Sequence, residues 1–164
     1  GDAVMAFWGA PMDDAQHADH AVAAALSMLE EVQRLNRGFE EKGLPLMRVG
    51  IGINTGEVRV GDMGSRLRRT YTVIGDAVNL ASRFEALTKH YDASIIVGET
   101  TVELARGHRF VALGKAQVAG RNEPVMVYSP ASLAVHDTMP MSGGHEPPPP
   151  HVEDRVNAGA RIGM

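Results

Sequence analysis

The stretch YTVIGDAVNLASRFE, residues 71–85, joins a strand to a helix across two residues. Tyr71-Thr72-Val73-Ile74 is β-branched and aromatic, and Gly75-Asp76 breaks it. From Ala77 to Leu87 the apolar residues Ala77, Val78, Ala81, Phe84 and Leu87 follow helical spacing, and the helical region extends to about Tyr91. Asn79 and Arg83 suit a buried face poorly. Four residues apart, they point the same way, one turn above the other. Two explanations stand side by side. Arg83 pairs with Glu85 or a neighbour while Asn79 caps the helix, or both serve a ligand just past a strand end, where such sheets bind ligands.

Working outward, Asp2 to Trp8 reads as a strand closed by Gly9-Ala10-Pro11. Asp13 and Asp14 precede a long amphipathic helix with Ala18, Val22, Ala25, Leu26, Leu29, Val32 and Leu35, ending near Gly38 or Gly43. Leu46–Ile53 and Glu57–Val60 read as two strands, with Asn54-Thr55-Gly56 as a tight hairpin between them. Gly61–Thr70 reads as a polar, basic loop carrying Arg66, Arg68 and Arg69. Ala93–Val97 is a strand, followed by a short helix capped at Glu99-Thr100. Arg109–Val118 and Val125–Tyr128 complete the strands. Hairpins mixed with helical crossovers indicate an α+β fold with a mixed sheet.

The pattern divides the chain into a domain over residues 1–131 and a tail over 132–164. Four consecutive prolines and Gly143-Gly144 mark that tail, from about Ser132, as disordered linker. A stretch that opens inside an apolar strand reads as part of a longer chain.

Composition excludes several classes. With 44% hydrophobic and 22% charged residues the sequence is globular, and a net charge of −4 offers nucleic acid no general attraction. There is no cysteine, hence no disulfide or thiolate metal site. No apolar run approaches the roughly 20 residues that a membrane span requires. In Val49–Gly56 the glycines are misspaced for a dinucleotide fingerprint, and a hairpin or close backbone approach explains them better. His17 and His20, beside Asp13, Asp14 and Asp19, read as a solvated helix face rather than a metal site.

GDAVMAFWGAP, VGIGINTGEVRVGDMGS and above all YTVIGDAVNLASRFE resemble the class III nucleotidyl cyclase catalytic domain, over about Gly1 to Pro130. The resemblance implies a ferredoxin-like α+β fold with flanking helices, here without its first strand or strands. Two such domains meet head to tail, with active sites at their interface. The implied reaction is ATP to 3′,5′-cyclic AMP and pyrophosphate. Asn79 would orient the ribose and Arg83 would stabilise charge on the phosphate. Asp2 would hold metal, as one of two aspartates binding two Mg²⁺ or Mn²⁺ ions. Thr72 falls at a purine-reading position; its hydroxyl can accept from an adenine amino group, which favours ATP. Arg121, in Val118-Ala119-Gly120-Arg121, stands where a cation for the triphosphate is expected.

The implied partners are ATP and a second copy of the domain, with no nucleic acid. Placement is cytoplasmic, with any membrane attachment made through upstream segments. The first metal aspartate and a purine-reading lysine are not in this sequence, so the stretch alone is expected to be inactive. A guanylyl cyclase, or a truncated domain that only dimerises or regulates, are the competing readings.

Overall fold

The computed structural model describes residues 3–65 and 68–134, without the side chains of 64–69 and 134. Asp2, Arg66 and the tail from 135 to 164 lie outside the described residues, as do the side chains of Arg68 and Arg69.

Helix α1 covers His17–Glu41, running through Gly38 and stopping before Gly43. The parallel pair β1 (Ile51–Ile53) and β4 (Ile95–Gly98) lies at one side of a mixed sheet ordered β1-β4-β6-β5. Strands β5 (Phe110–Ala116) and β6 (Val125–Pro130) complete it, both antiparallel to their neighbours. Helices α2 (Asp76–Leu87), α3 (Glu99–Leu104) and α4 (Ala131–Ala134) pack around it. The fold is thus α+β with a mixed sheet and flanking helices.

Alternation along the strands explains the layers. Ile51, Ile53, Ile95 and Val97 enter a core with Ala18, Ala21, Val22, Ala25 and Leu29 of α1. Ile96, one residue out of phase, enters a second core with Leu80, Phe84 and Leu87 of α2 and with Val127. Helices therefore cover both faces, and the strands β1 and β4 read as unbroken apolar runs for that reason. In β5 the register slips between Ala112 and Gly114, where Gly114 has φ +120°. The extra residue, Leu113, packs against the α2 core.

Four sequence expectations are corrected. Asn54-Thr55-Gly56 is not a hairpin turn. The strand after it, β2 (Arg59–Ser65), pairs with β3 (Arg68–Ile74), while β1 pairs with β4. The residues expected to turn instead tie elements together: Asn54 Nδ2 donates to the Ala77 carbonyl at 3.2 Å, and the Thr55 and Thr101 hydroxyls meet at 2.8 Å. The loop expected at Gly61–Thr70 is most of the β2–β3 ribbon, with seven paired positions from Arg59↔Ile74 to Ser65↔Arg68. Its charges and glycines hide it, because a ribbon held by backbone bonds needs no apolar alternation on a solvated side.

Leu46–Gly50 is not strand either. The Asn36 side chain bonds both the N–H and the C=O of Met47, at 2.8 Å each, so the Met47 N–H is not available to a ladder. Ala3–Trp8 has no strand partner among the described residues, although its side chains alternate: Ala6 and Trp8 pack on the α1 core and the Phe7 ring sits 6.2 Å from that of Tyr71. Smaller differences follow. α2 ends at Leu87, α3 is capped by the Gly98 backbone with Glu99 inside its first turn, and Ser132 belongs to α4.

Candidate functional site

The site is built on α2. Its start is set by Gly75, where a Cβ would lie 3.0 Å from the Glu57 carbonyl and 3.2 Å from Val58 Cγ1; only a bare α-carbon lets the chain pass there from β3 into the helix. Ala77, Leu80, Ala81, Phe84 and Leu87 bury the inner face. Asn79 and Arg83 lie off that face, one turn apart, Asn79 exposed and Arg83 half-buried.

Two clefts flank the helix. One, of about 400 Å³, is lined by Asn54, Asp76, Leu80, Phe84, Gly98 and Arg121 among others. The other, of about 250 Å³, lies between Val78, Asn79 and Ser82 and the segment Ala3-Val4-Met5.

Arg83 meets the loop before β6. A Cβ on Gly120 would come 3.2 Å from Arg83 Nη2, and its φ of +74° favours glycine there. The loop closes through Arg121 N–H donating to the Val118 carbonyl at 3.0 Å and Gln117 Nε2 donating to the Arg121 carbonyl at 2.6 Å. The Arg121 guanidinium forms an ion pair with the Asp76 carboxylate in the first turn of α2. Asp76 is mostly exposed and Arg121 half-buried, so the pair adds little by itself and a ligand carrying several negative charges competes for Arg121 on favourable terms.

Arg83 and Arg121 thus meet at one loop, Arg83 against Gly120 and Arg121 beside the Asp76 carboxylate, and of the two only Arg121 lines a cleft. Asn79 opens to the second cleft. Thr72, opposite Gly61 in the ribbon and half-buried, lines neither cleft. Asp2 lies outside the described residues, and among those described no three His, Asp or Glu side chains converge as a metal site. His20 instead pairs with Asp14 at 2.7 Å. That bond is the main cause holding the Asp14 carboxyl below its ordinary value of 3.8.

Sequence reasoning missed Asp76 as the partner of Arg121, and Asn54 as a buried side chain of the first cleft. For Asn54 a signal existed: Gly50, Gly52, Asn54 and Gly56 alternate with Ile51 and Ile53, a row of small or polar residues on one strand face.

Comparison with known proteins supplies context for this geometry. The model of the family described as "Adenylate and Guanylate cyclase catalytic domain" matches residues 1–129. Adenylate cyclase 1 of Rhizobium meliloti is 38% identical over 129 residues, covering 78% of this chain and 19% of that protein. The adenylate cyclase of Anabaena cylindrica is 38% identical over 136 residues, covering 78% and 26%. This chain therefore spans about a fifth to a quarter of those relatives. The adenylyl cyclase CyaB of P. aeruginosa superposes with a TM-score of 0.65 at 28% identity, over 76% of this chain and 64% of that one. The guanylyl cyclase Cya2 superposes with a TM-score of 0.63 at 33% identity, over 76% and 62%.

Proposed function

The chain belongs to the adenylate and guanylate cyclase catalytic domain family, and on that premise we propose that it converts ATP to 3′,5′-cyclic AMP and pyrophosphate as one of two domains paired head to tail. One observation carries the reading: a single turn of α2 presents Asn79 and Arg83, and Arg83 packs against Gly120, next to Arg121. ATP rather than GTP is the proposed substrate because two of the relatives above are adenylate cyclases and Thr72 can accept from an adenine amino group. The 33% identity to a guanylyl cyclase keeps GTP as the second reading.

In the proposed reaction the ribose 3′-oxygen bonds to the α-phosphorus as its proton leaves. The bond from that phosphorus to the bridging oxygen breaks, and pyrophosphate departs with the electron pair. Such transfer leaves little covalent work to the protein; positioning and charge neutralisation dominate. Asn79, carboxamide outward, hydrogen-bonds the ribose and limits its rotation. Arg83 donates to the non-bridging oxygens of the α-phosphate, where its always-charged planar fork suits the developing charge. Arg121 exchanges its Asp76 partner for the terminal phosphates. Two Mg²⁺ or Mn²⁺ ions would acidify the 3′-hydroxyl and neutralise the phosphates. Asp2 would supply a carboxylate to them, together with phosphate oxygens.

The proposed partner is a second copy of the chain. Tyr71 and Ile74 on the ribbon are 49% and 52% exposed, a cost in water that a second copy would remove. No helix among the described residues is long and apolar enough to cross a membrane. We place the catalytic part in the cytoplasm because the nucleotide substrate is supplied there, and the end of the domain at α4, Ala131–Ala134, before the tail.

The test is product analysis. The complete gene product, supplied separately with ATP and GTP and with magnesium or manganese, should release cyclic AMP from ATP. Cyclic GMP as the main product would replace the substrate. A folded dimer that makes neither would leave the domain as a dimerising or regulatory module and overturn the reading.

A further inference from the structure

Residues 50–56 carry a device that neither the catalytic residues nor the fold class explains. Every second residue faces α2. A Cβ on Gly50 would lie 3.2 Å from Thr88 Cβ, one on Gly52 would press into the backbone of Ala81 and Glu85 and lie 3.0 Å from Phe84 C, and one on Gly56 would lie 2.9 Å from Ala77 Cβ. Between these glycines stands Asn54, the only side chain longer than hydrogen on this row. It is 6% exposed, and its Nδ2 donates to the Ala77 carbonyl at 3.2 Å. Its Oδ1 occupies the space against Gly98, where any Cβ would strike it and would lie 2.8 Å from Phe84 Cε2.

The glycines let α2 descend onto β1 until backbone touches backbone, but they leave it free to slide along the row. Asn54 removes that freedom at the end that matters. It grips the helix through the carbonyl of Ala77, two residues before Asn79 and less than two turns before Arg83. Its own position is rigid. Ile53 is wholly buried, and the neighbouring Thr55 hydroxyl is held by the fully buried Thr101 of α3 at 2.8 Å. A carbonyl has two lone pairs, so Ala77 can serve the helix and Asn54 at once.

We infer that Asn54 is a positioning residue, which fixes the axial setting of α2 and thereby the reach of Asn79 and Arg83 toward the nucleotide. Its consequence for turnover rests on the cyclase reading; its consequence for α2 does not. A misplacement of about 1 Å in such a group can cost on the order of 10²-fold in rate.

The experiment pairs Asn54→Ala with Arg83→Ala in the complete gene product, and adds Asn54→Ser. Hydrogen exchange by NMR or mass spectrometry is followed at the first turns of α2 and at Ile96 in the sheet. Asn54→Ala should accelerate exchange over Asn79–Ala81 and leave Ile96 unchanged. It should lower kcat roughly 10- to 100-fold with little change in KM. In the Arg83→Ala background it should cost little more, because the group it positions is already gone. Asn54→Ser, which keeps a short donor, should fall between wild type and Asn54→Ala. Unchanged exchange in α2 would overturn the inference. So would an equal fold-loss in both backgrounds, which marks a general loss of folded enzyme. If Arg83→Ala keeps normal turnover, the cyclase site assignment fails while the exchange data still decide the role of Asn54.

Discussion

Residues 50–56 and the ribbon of residues 59–65 and 68–74 adjoin in sequence, and they are governed by different terms. The first lies under α2 with no room for a methyl group at Gly52. The second is a separate two-stranded sheet whose seven pairs are joined by backbone bonds. There Gly61 has nothing within 4 Å of its missing Cβ, and Tyr71 and Ile74 stand in solvent. In the buried row side-chain volume and the one Asn54 hydrogen bond decide the fit, and in the ribbon backbone pairing decides the shape. Val73 of the ribbon is buried in the fold, while Tyr71 and Ile74 are the side chains proposed to meet a second copy. A two-stranded ribbon is marginal in water, and association is the natural way to cover it.

That contrast can be broken most sharply by two alanines. Gly52→Ala should destabilise the domain by about 3 kcal/mol or more, because backbone must move. Gly61→Ala should stay within about 0.5 kcal/mol. Urea midpoints of the two variants decide the matter, and similar midpoints would end the distinction.

The ribbon's proposed role gives the next effect. Tyr71→Ala should weaken self-association roughly tenfold or more by sedimentation equilibrium, as loss of a central aromatic contact does. The monomer's unfolding midpoint should scarcely move. Unaltered association would assign the exposed apolar face to something other than a second copy.

Thr72→Ala, also on the ribbon, should reduce the preference for ATP over GTP by about fivefold, the worth of roughly one net hydrogen bond. An unchanged ratio would remove Thr72 from base reading.

The smallest effect lies outside both regions, at the start of α1. The hydrogen bond with His20 is the main cause lowering the Asp14 pKa in the fold. A lowered carboxylate pKa stabilises the fold above the unfolded value and stops doing so as pH falls through the folded one. Asp14→Asn should therefore melt slightly earlier near neutral pH and match wild type in strong acid. A gap that persists in acid would point to packing instead.

How far the sequence foretold this molecule follows the same division. The β3–α2 junction was legible because Gly75-Asp76 separates two different periodicities. α1 was legible because its apolar stripe is long. The pairing of β1 with β4 was not, since its partners lie more than forty residues apart, from Ile51 to Ile95, and leave no local mark. The ribbon was hidden because solvated strands need no alternation. Asn79 and Arg83, the residues proposed for the site, could be picked out as misfits on a helix face. The ion pair of Asp76 with Arg121 depends on a loop closed by Val118 and Gln117, which no spacing reveals.

On the proposed reading α2 is a rigid carrier whose outward side chains do chemistry and whose inner face holds the fold. Arg83→Ala tests it most directly, with metal-dependent cyclic AMP formation and the urea midpoint measured on the same preparation of the complete gene product. Turnover should fall about 10²–10³-fold, as for removal of one transition-state donor. The midpoint should stay at its wild-type value. Near-normal turnover, or a loss of activity that tracks a loss of folded protein, would contradict it.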